Sequence, residues 1–166
     1  MRNESQKKVS RTVPTIEIRI DDLSGEGVRA LVQSHLTSMH ATSPADSCHA
    51  LDVDQLRHPS VTFWSAWIGD SVAGIAALKV LDSDRGEIKS MRADDKFRGD
   101  GVGRALLRHI IATARDKGLS SLWLETGTAP EFTPATRLYA SEGFVDCGPF
   151  DEYLEDPHSR YMTASL

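Results

Sequence analysis

Glycines alternate at positions 99, 101 and 103, and helical periodicity begins directly behind them. Arg98-Gly-Asp-Gly-Val-Gly-Arg104 reads as a turn feeding the first turn of a helix, because residues without a Cβ allow backbone conformations and close approaches that others resist. Successive N–H groups in such a turn converge on one anionic ligand at the positive end of the helix dipole, so the stretch is a phosphate cradle. Val102, Ala105, Leu106, Ile110 and Thr113 then share a helical face, flanked by Leu107, Ile111 and Ala114. A stripe that broad needs a sheet to lie on. Arg115 and Lys117 fall in the last turn, and Gly118 ends it.

The remaining chain supplies that sheet. Thr15-Ile-Glu-Ile-Arg-Ile20 alternates with period two, as a half-buried strand does. Asp21, Asp22 and Ser24 present N-cap oxygens to a helix carrying Val28, Leu31, Val32 and Leu36. From 37 to 59 the pattern dissolves into polar residues around a short helix near Leu51 to Leu56, and a connection of that length reads as a functional flap. Two strand-like runs, Val61–Ile68 and 71–81, enclose the turn Gly69-Asp70 and predict a hairpin. A further alternating strand at 87–93 leads straight into the cradle. Right-handed crossover sets the next strand, Ser121-Leu-Trp-Leu-Glu125, parallel to it. A helix over 133–142 and two last strands, at 144–146 and 161–163, complete the prediction.

The 166 residues predict a single domain over 14–166 preceded by a flexible tail at 1–13. Apolar runs fall short of the ~20 residues that span a bilayer, and the first residues lack the apolar core of a signal peptide, so the expectation is a cytoplasmic protein without membrane contact. Cys48 and Cys147 stand apart with no metal-ligand spacing, and no metal is expected. A net charge of −5 argues against nucleic acid as partner. Locally, Lys96, Arg98, Arg104, Arg108, Arg115 and Lys117 outnumber Asp100 and Asp116, which suits a small phosphorylated ligand.

Three kinds of phosphate loop compete for the cradle. A Walker A loop ends in Gly-Lys-Ser/Thr, whereas Gly103 is followed by Arg104-Ala105. A dinucleotide loop follows the first strand with Gly-x-Gly-x-x-Gly spacing, and this loop does neither. Arg98-Gly-Asp-Gly-Val-Gly103 matches Arg/Gln-x-x-Gly-x-Gly/Ala, and Leu138-Tyr-Ala-Ser-Glu-Gly-Phe144 matches a second motif, a helix carrying tyrosine followed by Gly-Phe. With both motifs in this order of strands, the chain resembles the GNAT superfamily of acetyl-CoA-dependent N-acetyltransferases, strongly over 61–146. Glu87-Ile-Lys-Ser-Met91 and Leu124-Glu-Thr-Gly127 are further similar to a bacterial subgroup acting on small molecules, some labelled for indole-acetic-acid metabolism.

The resemblance implies an α/β (α+β) fold with a central mixed, mostly antiparallel sheet flanked by helices and parallel strands splayed at the cofactor site. It implies acetyl transfer from acetyl-CoA, as cosubstrate, to a primary amine by direct attack in a ternary complex. A small molecule is the expected acceptor; a protein N-terminus or lysine, or a CoA-binding regulatory module without chemistry, are the alternatives. Members often dimerise, so a homodimer is an expectation. The backbone of Arg98, Gly99, Asp100, Gly101, Val102, Gly103 and Arg104 would bind pyrophosphate, and main-chain groups of Met91, Arg92 and Ala93 the pantetheine arm, one N–H holding the thioester oxygen. Tyr139 aligns with a tyrosine near the CoA sulfur, as acid or hydrogen-bond donor; a core tyrosine is the plain alternative. Glu87 and Glu125 compete as the base that takes the ammonium proton, with a structural or substrate-charge role open to each. Many relatives carry asparagine seven residues before the tyrosine; here that position is Phe132. His40 and His49, in the flap, could touch substrate or be isolated surface histidines. Trp64 and Trp67 lie on opposite faces by parity unless a bulge offsets them.

Overall fold

A computed structural model describes residues 12–166. The expected tail at 1–13 therefore lies, apart from its last two residues, outside the described residues. The elements are β1 (Glu17–Ile20), α1 (Glu26–Thr42), α2 (Val53–Leu56), β2 (Val61–Ile68), β3 (Ser71–Val80), β4 (Arg85–Ala93), α3 (Val102–Asp116), β5 (Ser121–Gly127), α4 (Thr133–Ser141), β6 (Val145–Cys147) and β7 (Ser159–Ser165). Seven strands form one sheet in the order β1-β2-β3-β4-β5-β7-β6, antiparallel except for the β4/β5 pair. The hairpin at Gly69-Asp70 and the parallel crossover through α3 stand where periodicity put them.

Apolar cores cover both faces of the sheet. On one, α3 buries Val102, Leu106, Leu107, Ile110 and Ala114 against Trp64, Leu78, Ile88, Leu122 and Leu124. On the other, Val28, Leu31 and Val32 of α1 and Leu56 of α2 pack on Phe63, Ile75 and Ala77. The two tryptophans follow strand parity. The bulge at this point of the hairpin inserts its extra residue in β3, where Ala66 pairs with Gly74 and Trp67 with Val72, so β2 keeps its alternation. Trp64 joins the α3 core and Trp67 packs with the α1 core. Gly74 sets how closely α3 approaches: a Cβ there would stand 2.7 Å from Val102 Cγ1 and 2.9 Å from Leu106 Cδ1.

Two local expectations change. The α1 helix runs on to Thr42, past the point where its apolar stripe fades, and stops because Ser43 precedes Pro44 and is held extended. His40 is consequently an exposed residue of the last helical turn and not part of a flap. The residue at the N-cap is Gly25, without a side-chain cap; Asp21 and Asp22 instead accept the N–H groups of Leu23 and Ser24 at 2.8 and 3.0 Å and shape the turn before the helix.

Candidate functional site

The cradle is built as its glycines require. Gly99 and Gly101 adopt φ of +83° and +85°, and a Cβ at either would meet nothing within 4 Å. Conformation, not space, selects glycine at both. Gly103 is helical and serves packing, since a Cβ there would lie 3.2 Å from Leu138 Cδ2 of α4. The N-cap of α3 is Gly101, which has no side chain to cap it, and the first intrahelical bond runs from Ala105 N–H to Gly101 C=O at 3.0 Å. The N–H groups of Val102, Gly103 and Arg104 are thereby left to the loop mouth. The arginines are more committed than the sequence suggested. Arg98 pairs with Asp95, while Arg104 and Arg108 converge on Glu142 at the end of α4. Those two guanidiniums, Arg108 foremost, hold the Glu142 carboxyl below its usual range. What the cradle presents is chiefly its amides.

Beside it the sheet opens. β4 and β5 pair from Arg85↔Ser121 to Ile88↔Leu124 and no further, although β4 continues to Ala93 and β5 to Gly127. Within β4 the register against β3 slips: Lys89 pairs with Ala77 and Arg92 with Ile75, so two β4 residues face Ala76 alone. Ser90, at this bulge, takes a φ of +53°, a strained value for a residue with a side chain. The bulge also resets which way side chains point. Glu87, Lys89 and Arg92 pair with residues of the α1 face, whereas Ile88 and Met91 pack into the α3 core. At the far lip the Phe132 ring covers Gly127 so closely that a Cβ there would stand 2.2 Å from it.

A cavity of about 100 Å³ occupies this opening, lined among others by His35, Lys89, Ser90, Glu125, Phe132, Tyr139 and Tyr153. The model of the acetyltransferase (GNAT) family matches residues 28–144.

The chain belongs to the GNAT acetyltransferase family.

Two relatives agree: the uncharacterized N-acetyltransferase YedL of Escherichia coli (strain K12) is 50% identical over 149 residues, 90% of this chain and 94% of that protein. Its counterpart YsnE of Bacillus subtilis (strain 168) is 50% identical over 151 residues, 91% of this chain and 100% of that protein. A solved Klebsiella pneumoniae protein, described as an acyl-CoA N-acyltransferase, superposes with a TM-score of 0.76 at 26% identity, covering 91% of this chain and 97% of its own. The protein is thus an acyl-CoA-dependent acetyltransferase.

In this GNAT acetyltransferase all three catalytic candidates line the opening. Glu125 stands on β5, and burial pushes its carboxyl up to about 7, with Ser159 and Lys89 pulling the other way. Tyr139 comes from the opposite, α3 side of the sheet and is both core residue and cavity wall. Burial, then the Glu125 charge, drives its phenol well above the ordinary value, so it keeps its proton throughout the neutral range. Glu87 is 2% exposed and already engaged: Tyr153 OH donates to its Oε1 at 2.5 Å and Lys89 Nζ at 3.1 Å.

Sequence reasoning missed three residues of this site. Lys89 shares the strand face of Glu87, two positions on, a signal that alternation alone carried. His35 continues the Val28, Leu31, Val32 stripe at helical spacing, and is a buried residue whose Nδ1 has no hydrogen-bond partner among the described residues. Burial, reinforced by the Arg92 charge, takes its imidazole down to about 4, so it is neutral at physiological pH. Tyr153 sits in a turn-rich segment where no periodicity marks it. It stacks edge-on with His49, their centroids 4.9 Å apart, which brings His49 of the flap to the cavity wall. Asp156 accepts from Ser47 Oγ at 2.5 Å and ties that flap to the segment bearing Tyr153.

Proposed function

We propose that this acetyltransferase moves an acetyl group from acetyl-CoA to a primary amine on a small molecule, by direct attack within a ternary complex. The observation that carries the reading is the convergence of Glu125 and Tyr139, from opposite faces of the sheet, on one cavity where β4 and β5 part.

The donor set suits CoA. The amides of Gly99 and Gly101 in the left-handed loop and of Val102, Gly103 and Arg104 at the α3 terminus match a pyrophosphate, while those of Arg98 and Asp100 shape the loop by donating to the Asp95 and Phe97 carbonyls. The edge of β4 from Met91 to Ala93, released from β5, has main-chain groups for the amides of a pantetheine arm. Acetyl-CoA supplies the acetyl group as a thioester. Glu125, with a carboxyl balanced near 7, is suited to take the proton an ammonium must lose before it attacks. Tyr139 holds its proton and can give a hydrogen bond where a thiolate develops. Glu87, its Oε1 already accepting from Lys89 and Tyr153, is the weaker candidate base and holds the wall in shape.

Isothermal calorimetry with acetyl-CoA and thiol release across an amine panel test this reading. Saturable binding and acetylation of at least one small amine are expected. Failure of acetyl-CoA to bind, or turnover on peptides alone, would refute it.

A further inference from the structure

Lys89 is a buried cation whose environment only partly answers its charge. Its side chain is 9% exposed, and that of its sole carboxylate partner among the described residues, Glu87, is 3% exposed. An ammonium carries three N–H donors. One goes to Glu87 Oε1 at 3.1 Å and one to Tyr153 OH at 2.9 Å, and the Tyr153 hydroxyl donates in turn to the same Glu87 oxygen at 2.5 Å. The third remains for the cavities that Lys89 lines. These are the opening with Glu125 and Tyr139 and, behind Tyr153, a larger recess of about 400 Å³ bordered by Cys48, Gln55, Lys79 and Asp151.

Two cations of β4, Lys89 and Arg92, mark this strand face, whereas Asp151 and Glu152 border the larger recess. Arg92, turned to the same face by the bulge, forms no ion pair with a described residue. After burial, its charge lowers the His35 imidazole, and after burial that of Lys89 lowers His49, with Asp156 and Glu87 opposing. Glu125 adds no full negative charge until the pH passes about 7. A second ammonium on the acceptor would meet repulsion here; an anionic group would be drawn in. Spacing narrows the chemistry further. Ile88↔Leu124 is the last pair of the parallel ladder, so Lys89 and Glu125 are the next residues along each strand, facing across the opening. Strands lie about 5 Å apart before they diverge. Both residues line the same small cavity, so an acceptor with its amine at Glu125 and an anion at Lys89 needs only a short spacer between the two groups, as in an α- or β-amino acid.

We propose that the acceptor carries a carboxylate beside its amine, as a free amino acid does, and that the Lys89 ammonium receives that carboxylate. This rests on the amine acetyltransferase reading above and names its substrate class.

The test uses the purified enzyme, acetyl-CoA, and the common L-amino acids, each beside its α-amide and its decarboxylated amine. Thiol release gives kcat/KM. For the best acceptor the acid is expected to exceed both analogues by about tenfold or more, the worth of a hydrogen bond between charged groups. Lys89→Met should bring the ratio near one, and Lys89→Arg should keep a preference for the acid. Because Lys89→Met leaves Glu87 without its counter-charge, Lys89→Met/Glu87→Gln is measured in parallel, with acetyl-CoA affinity as the check of folding. Equal or better turnover of the amides by the wild type, or an undiminished preference for the acid in the folded double variant, would overturn the proposal while leaving amine acetylation intact. Binding of acetyl-CoA without turnover of any amine would remove the underlying function, and the proposal with it.

Discussion

Replacing Glu125 by glutamine isolates the strongest electrostatic feature of the site. Burial raises this carboxyl from an ordinary 4.5 to about 7. At about 1.4 kcal/mol per tenfold change in proton affinity, ionising it in the fold costs about 3 kcal/mol more than in the unfolded chain. Below 4.5 both states hold the proton and the residue contributes nothing to pH dependence. Between 4.5 and 7 the unfolded chain releases its proton while the native protein retains it, so stability from this group falls as pH rises and levels off above 7. Glu125→Gln has no proton to lose. Urea unfolding of both proteins from pH 4 to 8 should therefore show the variant gaining up to about 3 kcal/mol on the wild type across that interval. Taking the difference cancels the other titrating groups. The same substitution should abolish the alkaline rise in kcat/KM, which in the wild type should have its midpoint near 7. A stability difference that does not change with pH would refute the burial argument. A retained alkaline rise would remove Glu125 as the base even if the stability result held.

Tyr139→Phe is expected to lower kcat by about a hundredfold, with calorimetric acetyl-CoA affinity nearly unchanged; equal losses would assign the phenol to packing. Gly101→Ala forces a side chain into φ +85° where no neighbour obstructs it. A stability loss of about 1–2 kcal/mol in urea, with weakened acetyl-CoA binding, is expected, and wild-type values for both would show that the left-handed turn is not needed. Glu87→Gln leaves Lys89 buried without a carboxylate and should cost about 3–5 kcal/mol in the same unfolding assay. A loss under about 1 kcal/mol would mean that the wall is more hydrated than its burial indicates. Gly74→Ala pushes a methyl into Val102 and Leu106 and should destabilise by about 1–3 kcal/mol; an unchanged urea midpoint would show that α3 has slack against β3.

Local rules carried far into the fold because the decisive patterns here are short-range. Alternation in 61–68 and 71–80, the turn at Gly69-Asp70 and the apolar stripe of α3 each lie within one element or one hairpin. Two motifs of a few residues, at 98–103 and 138–144, then led to the family. Local rules failed where a neighbour distant in sequence took over. Glu142 captures Arg104 and Arg108 from 38 and 34 residues away. Asp156 binds Ser47 across 109.

The sequence alone determined the sheet, the helix upon it and the glycine turn that leads into that helix, because glycine conformation and side-chain periodicity are properties of contiguous residues. It could name Glu87 and Glu125 but not separate them, since both sit on strands with similar neighbours in sequence. Tertiary structure separates them through the company each keeps: Tyr153, reaching Glu87 from 66 residues away, and Lys89 occupy one carboxylate, while the parting of β4 from β5 leaves the other facing a cavity and desolvated. Burial and hydrogen-bond partnership are set by the packing of distant segments, and these quantities decide which of two identical side chains faces a cavity with its carboxyl raised and which is held by its neighbours.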